Sequence, residues 1–197
     1  MAGLPPSPLI REALATATEA HAGQIRNGAG GIPYIEHPVA VAELLAEDGG
    51  SEETLAAALL HDVIEDSDLT LDDLRARFGE PVAGLVGALS DDEAIADWRE
   101  RKAEHRERVS TAGPQALAIY AADKLTNARA LRRAWEQEGE AVADELKVPL
   151  EDKLEAWEAD LEMLRRVAAE LRTLDELEVE LSRLRADRSS AAPRPGI

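Results

Sequence analysis

Apolar residues recur at intervals of three and four positions along most of the chain, a spacing that predicts amphipathic α-helices. Stretches rich in glycine and proline interrupt this pattern, and the stretch at 26–33 predicts a loop. Alanine, leucine, glutamate and arginine dominate, and runs of β-branched residues are scarce. The sequence therefore predicts an all-α protein, with helices at about 8–25, 37–47, 52–65, 71–77, 81–89, 93–110, 114–135 and 147–187.

The last predicted helix carries two apolar series. The first runs from Leu154 to Leu171, and after a slip of one residue the second continues at Leu174, Leu177, Leu181 and Leu184. This pattern is typical of either a core helix or a coiled-coil seam. We interpret 176–187 as a helical extension, and a homodimer through this helix is an open alternative. Residues 1–7 are expected to form a flexible arm and 188–197 a disordered tail.

Charge and composition exclude several classes of protein. The 197 residues include 22 basic and 40 acidic side chains, a formal net charge of −18, which disfavours binding to nucleic acids or anionic membranes. Cysteine is absent, so disulfides, thiolate metal sites and thiol nucleophiles are excluded. The first residues do not resemble a secretory signal, and no stretch approaches the roughly 20 apolar residues that span a bilayer. We therefore expect a cytoplasmic protein.

The densest group of chemically active residues lies at 61–66. On a continuous helix, at about 100° per residue, His61, Asp62, Glu65 and Asp66 share one arc and aliphatic residues occupy the other. Burial of the aliphatic arc would bring three carboxylates together, and a divalent cation would neutralise their repulsion. An ordinary helix with a solvated acidic face explains the same pattern, so this segment alone leaves both interpretations open.

Two other stretches favour the metal interpretation. His37 stands at a predicted helix start just after the glycine-rich loop, and Asp123 lies in the most apolar predicted helix. A buried carboxylate needs a partner, because leaving it unpaired costs several kcal/mol. Two imidazoles and two carboxylates form a mixed nitrogen and oxygen set that suits Mn²⁺, Fe²⁺ or Zn²⁺ better than Ca²⁺. The members of this set are His37, His61, Asp62 and Asp123.

These residues occur in strings that resemble the HD-domain metal-dependent phosphohydrolases. The resemblance is greatest to the hydrolase domain of RelA/SpoT-type alarmone enzymes, including the stand-alone small alarmone hydrolases and the metazoan SpoT homologues. The strings follow the family order over about 10–175: Ala20-His-Ala-Gly-Gln-Ile-Arg26, Pro33-Tyr-Ile-Glu-His-Pro38, Ala57-Ala-Leu-Leu-His-Asp-Val-Ile-Glu-Asp66, Phe78-Gly79, Ser90-Asp-Asp92, Arg101-Lys102 and Ala122-Asp-Lys-Leu-Thr-Asn127. The resemblance implies an HD-domain helical bundle of about 8–10 helices over 8–175, followed by the long C-terminal helical extension.

The same resemblance implies an enzyme that removes the 3′-pyrophosphate from guanosine 3′,5′-bis(pyrophosphate), giving GDP or GTP and pyrophosphate. It implies Mn²⁺ as cofactor, with Fe²⁺ or Zn²⁺ as alternatives, held by the set of four named above. Glu65 and Asp66 would orient and deprotonate the attacking water. Arg26 and Lys102 would contact phosphate groups, and Asn127 would contact the nucleotide.

Three departures from the family pattern leave the substrate open: two substitutions, and a later tyrosine of some relatives that has no clear counterpart near 147–157. Asn27 stands where several relatives have a second basic residue, and Tyr120 stands where many have lysine. An adenosine alarmone or the 2′-phosphate of NADPH are therefore alternative substrates for the same metal chemistry. A non-catalytic helical interaction module is the third interpretation. Outside the site, we expect His21 to be a hydrogen-bonded structural residue and His105 to be solvated.

Overall fold

The computed structural model describes residues 3–26 and 31–190, with side chains described as far as 187. Within these ranges the chain forms eleven helical segments and, apart from an isolated bridge between Ile25 and Pro33, no β-structure. The prediction of an all-α helical fold is confirmed. The helices are α1 (Pro8–Ala20), α2 (Glu36–Glu47), α3 (Glu52–Leu60), α4 (Val63–Asp66), α5 (Leu71–Phe78), α6 (Glu80–Leu89), α7 (Trp98–Val109), α8 (Pro114–Glu138), α9 (Ala141–Glu145), α10 (Leu150–Val167) and α11 (Thr173–Ser190).

Side-chain caps fix the starts of three helices. The hydroxyl of Ser51 accepts the amide hydrogen of Thr54 at 3.3 Å at the start of α3. Thr70 and Asp73 form a reciprocal capping box before α5. The Asp97 side chain accepts the amide hydrogen of Glu100 before α7. Each cap satisfies an amide group that has no partner inside its helix, so the sequence itself determines where these helices begin.

Helix α3 lies at the centre of the packing. Residues 54–60 are all buried, and the helix packs against α1, α2 and α6. Ser7, within the predicted N-terminal arm, is 2% exposed and donates a hydrogen bond to Glu52 at 2.6 Å. A helix enclosed in this way has little freedom to move. The residues that directly follow it, His61 and Asp62, are therefore held in fixed positions.

The prediction of one helix over 147–187 is wrong. The chain forms α10 and α11, with a break at 168–172, because the one-residue slip in the apolar pattern would otherwise turn the second leucine series away from the core. Helix α11 packs against α8 and α10, and its leucines are at most 3% exposed. The leucine seam is therefore covered by the same chain. The domain boundaries at 8–175 and 176–187 and the homodimer stay predictions.

Several helix boundaries also differ from the predicted ones. Helix α1 ends at Ala20 rather than near 25, α7 begins at Trp98 rather than near 93, and α8 continues to Glu138. The predicted helix over 52–65 is broken after Leu60, with consequences for the site. No helix in the described ranges combines the length and the apolarity needed to cross a bilayer. Residues 27–30 and 191–197, which include Asn27 and most of the predicted tail, lie outside the described part of the chain.

Candidate metal centre and active site

Three helices that are distant in sequence bring the four candidate metal ligands together. His37 lies in the first turn of α2, His61 follows α3, and Asp123 lies within α8. One donor atom from each of these three residues lies within 4.8 Å of the other two. His37 Nε2 is 3.1 Å from Asp123 Oδ1, and His61 Nε2 is 3.2 Å from Asp62 Oδ1. The structure thus places all four side chains around one point.

The imidazole of His61 is oriented by the end of α3. Its Nδ1 donates a hydrogen bond to the carbonyl oxygen of Ala58 at 2.8 Å, which leaves Nε2 as the ligand atom of the neutral ring. In the neutral ring Nε2 is buried without a hydrogen-bond donor, because its neighbours are carboxylate oxygens of Asp62 and Asp123 at 3.2 and 3.8 Å. A divalent cation between them would satisfy the nitrogen lone pair and the carboxylates together. The donor set therefore fits a divalent metal.

The charges of the cluster favour a bound cation. Burial lowers the pKa of His61, but the neighbouring Asp62 and Asp123 carboxylates outweigh this effect and raise the pKa to about 9. At His37 burial dominates and lowers the pKa. Without metal, the cluster therefore holds one extra positive charge as a proton on His61 at neutral pH. A metal ion would bind by displacing that proton.

The break between α3 and α4 gives Asp62 its own orientation. His61 and Asp62 form the turn between the two helices, so the prediction that 61–66 present one arc of a continuous helix is wrong. The hydroxyl of Tyr34 donates to Asp62 Oδ2 at 2.6 Å, while Oδ1 faces His61. Burial raises the pKa of Asp62, but the electrostatic interactions with His61 and His37 outweigh this effect, so the pKa of Asp62 is lowered overall. Asp62 is therefore held as a carboxylate beside the histidines.

Asp123 is held by its own helix. Lys124 Nζ donates to Asp123 Oδ2 at 2.8 Å, and Asn127 Nδ2 donates to Oδ1 at 2.5 Å. Arg26 then donates to Asn127 Oδ1, also at 2.5 Å. Two of the predicted substrate contacts, Arg26 and Asn127, thus form one hydrogen-bonded chain that ends on a candidate metal ligand.

A second network joins α4 to α7 through the loop after α6. The backbone amide of Asp91 donates to Glu65 Oε1 at 2.8 Å, and Lys102 Nζ donates to Asp91 Oδ2 at 2.6 Å. His105 Nδ1 lies 2.9 Å from Asp91 Oδ1. The expectation that His105 is solvated is wrong: it is 4% exposed, because α7 turns it inward against the Tyr120 ring. Lys102, the third predicted substrate contact, is positioned by this network.

Glu65 and Asp66 lie in different surroundings. Burial raises the pKa of Glu65, and repulsion from Asp62 adds to this, bringing it to about 7. A carboxyl group with such a pKa exchanges its proton near neutrality. Asp66 Oδ2 lies 3.9 Å from His21 Nδ1, and only Glu65 of this pair lines the cavity described below. His21 pairs with Gln24 at 2.8 Å, which confirms the prediction of a hydrogen-bonded histidine.

A cavity of about 620 Å³ is lined by the four candidate ligands His37, His61, Asp62 and Asp123, which together are called the metal cluster below. This volume is within the usual range for a small-molecule site. Side chains of α7, α8 and α10 complete its walls, and six of the lining residues are cations: Arg26, Arg101, Lys102, Lys124, Lys147 and Lys153. The histidine and carboxylate side chains thus share one cavity with six cations, an arrangement suited to a phosphorylated ligand.

Three further residues of the site were not predicted from the sequence: Lys147, Lys153 and Tyr34. Lys147 and Lys153 reach the cavity because α10 folds back across α7 and α8. Tyr34 stands in one of the matching strings, but only the structure shows its bond to Asp62. The spacing of these residues along the chain carries no signal for either contact, since both depend on tertiary packing.

Comparison with known proteins agrees with this geometry. The family model for the HD domain matches residues 13–148, more than half of the chain. This chain belongs to the HD-domain family. A solved structure from work entitled "A metazoan ortholog of SpoT hydrolyzes ppGpp and plays a role in starvation responses" superposes on this HD-domain protein with a TM-score of 0.72. The two sequences are 29% identical, and the superposition covers 96% of this chain and 100% of the solved one.

Several curated relatives of this HD-domain protein carry the description guanosine-3′,5′-bis(diphosphate) 3′-pyrophosphohydrolase. The Mus musculus relative, named MESH1, is 40% identical over 126 residues, which cover 63% of this chain and 70% of that protein. The Vibrio cholerae relative is 46% identical over 127 residues, 62% of this chain. The chain spans only 18% of the length of the Vibrio cholerae protein. The region of similarity therefore occurs both in a short protein and in a much longer one.

Proposed function

We propose that this HD-domain protein is a metal-dependent hydrolase that removes the 3′-pyrophosphate from guanosine 3′,5′-bis(pyrophosphate) in the cytoplasm. The observation that supports this most is the set of two buried histidines and two largely buried aspartates, which lines the same cavity as Glu65 and six cations. Such a cavity matches a substrate with several phosphate groups. The descriptions of the relatives name this reaction for their own proteins.

We propose Mn²⁺ as the metal, with Fe²⁺ or Zn²⁺ as alternatives, held by His37, His61, Asp62 and Asp123. The mixed imidazole and carboxylate set supports this choice, because such ligands suit first-row transition metals. When bound, the metal supplies a Lewis acid that polarises a phosphoryl oxygen and lowers the pKa of water. The chain's own contribution is to orient the ligands through Ala58 and Tyr34.

Glu65 is the proposed proton acceptor. The attacking water forms a bond to the phosphorus that is attached to the ribose 3′-oxygen, and its proton passes to Glu65. The bond between that phosphorus and the 3′-oxygen breaks, and the oxygen takes a proton from solvent to leave as the 3′-hydroxyl group, while Glu65 later returns its proton to solvent. The Asp91 amide fixes Glu65 Oε1 at 2.8 Å, so the other carboxylate oxygen is available for the proton. Asp66 would act as a second carboxylate that orients water.

Substrate contacts are assigned to the cations that flank the ligands. Arg26 and Asn127 form a chain that ends on Asp123, so a phosphate bound there would lie next to the metal. Lys102 is oriented by Asp91, whose backbone amide holds Glu65. On a protein of net charge −18, such a local concentration of cations is needed to attract a polyanion.

The test is a panel of nucleotides with the purified protein and Mn²⁺. We expect release of pyrophosphate from guanosine 3′,5′-bis(pyrophosphate), with GDP as the second product, and loss of this activity in EDTA. The adenosine analogue and NADPH are tested in parallel, because the departures at Asn27 and Tyr120 concern the substrate. Cleavage of one of these in preference to the guanosine compound would contradict the proposed substrate. Absence of both metal and turnover would favour the non-catalytic helical module.

A further inference from the structure

All four lysines of the chain lie at one place. The sequence contains 18 arginines and four lysines, and Lys102, Lys124, Lys147 and Lys153 all line the cavity in front of the metal cluster. Most described arginines instead form ion pairs on the surface. An ammonium group is a compact point charge that binds phosphate without the fixed geometry of a guanidinium. This distribution indicates that the lysines belong to the site.

Lys153 differs from the other three lysines in its surroundings. Lys102 and Lys124 donate to carboxylates at 2.6 and 2.8 Å. The charge of Lys147 interacts favourably with the Asp66 carboxylate. Lys153, in contrast, contacts no carboxylate within the described ranges. Its Nζ lies 5.1 Å from the centre of the Trp157 ring, one turn further along α10.

The charges nearest to Lys153 are mostly of its own sign. Burial lowers its pKa, and the positive charges of Lys124 and Lys102 lower it further, to about 8. The opposing effect of Asp123 is smaller. A half-buried ammonium among like charges is unfavourable in the empty protein, and an anion in the cavity would relieve this repulsion. The position is therefore suited to receive an anionic ligand.

We propose that Lys153 binds the second anionic group of the substrate, which is the 5′-pyrophosphate when the 3′-pyrophosphate lies at the metal cluster. This inference rests on the proposed function. The cluster is carried by α2, the α3–α4 turn and α8, whereas Lys153 belongs to α10, a different helix that lines the same cavity. A cavity of about 620 Å³ has room for a nucleotide. Lys153 thus selects nucleotides that carry charge at both ends.

The test measures binding without metal and without turnover. Calorimetry in EDTA compares guanosine 3′,5′-bis(pyrophosphate) with guanosine 3′-pyrophosphate, which lacks the 5′ group, for the wild type and three variants. Lys153→Gln removes the charge, and Lys153→Arg keeps it. Arg99→Gln is the matched control. Arg99 of α7 pairs with Asp152, the neighbour of Lys153 on α10, but Arg99 does not line the cavity.

We expect Lys153→Gln to weaken binding of the bis(pyrophosphate) by about tenfold or more, the usual effect of losing a charge-assisted hydrogen bond. Binding of the 3′-pyrophosphate should change by less than about twofold, and Lys153→Arg should restore most of the lost affinity. Arg99→Gln should behave as the wild type. Equal losses for both ligands, or no loss for either, would overturn the inference. If the Lys153→Gln protein fails to fold, Lys153→Met takes its place, with the same selective loss of affinity for the bis(pyrophosphate) required.

Failure of this inference and failure of the proposed function give different results. If the wild type cleaves guanosine 3′,5′-bis(pyrophosphate) and Lys153→Gln binds it equally well, the assignment of Lys153 is wrong and the activity stands. If no cleavage occurs but binding depends on Lys153 and on the 5′ group, the activity is wrong and the anion-binding role stands.

Discussion

Replacing Glu65 by Gln separates catalysis from stability. The amide keeps an oxygen that can accept the Asp91 amide hydrogen now bonded to Oε1 at 2.8 Å, so the local structure should persist. The amide cannot take up a proton. Loss of a general base typically costs 10²–10⁴-fold in rate, or about 2.7–5.4 kcal/mol in activation free energy. We expect a loss of kcat in this range with the metal still bound.

The same substitution should stabilise the metal-free protein at alkaline pH. Burial and the nearby Asp62 raise the pKa of Glu65 from 4.5 to about 7 in the folded state. The folded state therefore binds this proton more tightly than the unfolded state, so stability falls as the pH rises from about 4.5 to about 7. The difference corresponds to a penalty on the order of 3 kcal/mol above pH 7. Glu65→Gln removes this penalty and should be the more stable protein at pH 8.

Urea unfolding in EDTA at pH 5 and pH 8 measures the stability, and pyrophosphate release with Mn²⁺ measures the turnover. The wild type should gain activity as the pH rises and Glu65 loses its proton. With metal bound, this transition should lie below about 7, because a neighbouring positive charge favours the carboxylate. A Glu65→Gln protein that is less stable than the wild type at pH 8, or that keeps turnover within about threefold, would refute the reasoning.

Three further changes test other parts of the structure. His61→Ala should abolish Mn²⁺ retention in elemental analysis after dialysis, whereas His21→Ala should retain the metal, and equal metal content would contradict the ligand assignment. Leu177→Ala, at a fully buried position of α11, should lower the free energy of unfolding in urea by about 2–5 kcal/mol; a loss below about 1 kcal/mol would argue against the packing of α11. Asp91→Asn should weaken the contact of residue 91 with Lys102 and reduce kcat/KM by at least about tenfold. The metal content should stay unchanged. Wild-type kinetics in this variant would show that the network does not position the site.

The sequence was most informative at 54–66, where apolar core residues directly precede the candidate metal ligands. The aliphatic residues around 61–66 predicted a buried helix, and the structure buries residues 54–60 of α3. The same pattern predicted an unbroken helix through Asp66, because periodicity does not register a two-residue turn whose backbone stays near helical values. The bonds of His61 to Ala58 and of Asp62 to Tyr34 define that turn, and one of them joins positions 28 residues apart.

The errors at His105 and in the C-terminal region have a tertiary cause. Charge surrounds His105 along α7, which predicted exposure, but its ring packs against Tyr120 of α8 and approaches Asp91. The slip between Leu171 and Leu174 was visible in the sequence, yet only the packing of α11 against α8 shows that the chain turns there. Lys153 was missed for the same reason, since nothing in its local sequence indicates which helices it faces.

The confinement of every lysine to a single cavity has a practical consequence. Apart from the amino terminus, the primary amines of this polypeptide all sit where the nucleotide is expected to lie, while the remaining cations are guanidinium groups. A reagent that acylates amines would therefore label lysines only in the ligand cavity, with no need to introduce a reactive residue by mutation. Its four adducts, read by mass spectrometry with and without nucleotide, would form a footprint of occupancy at individual side chains.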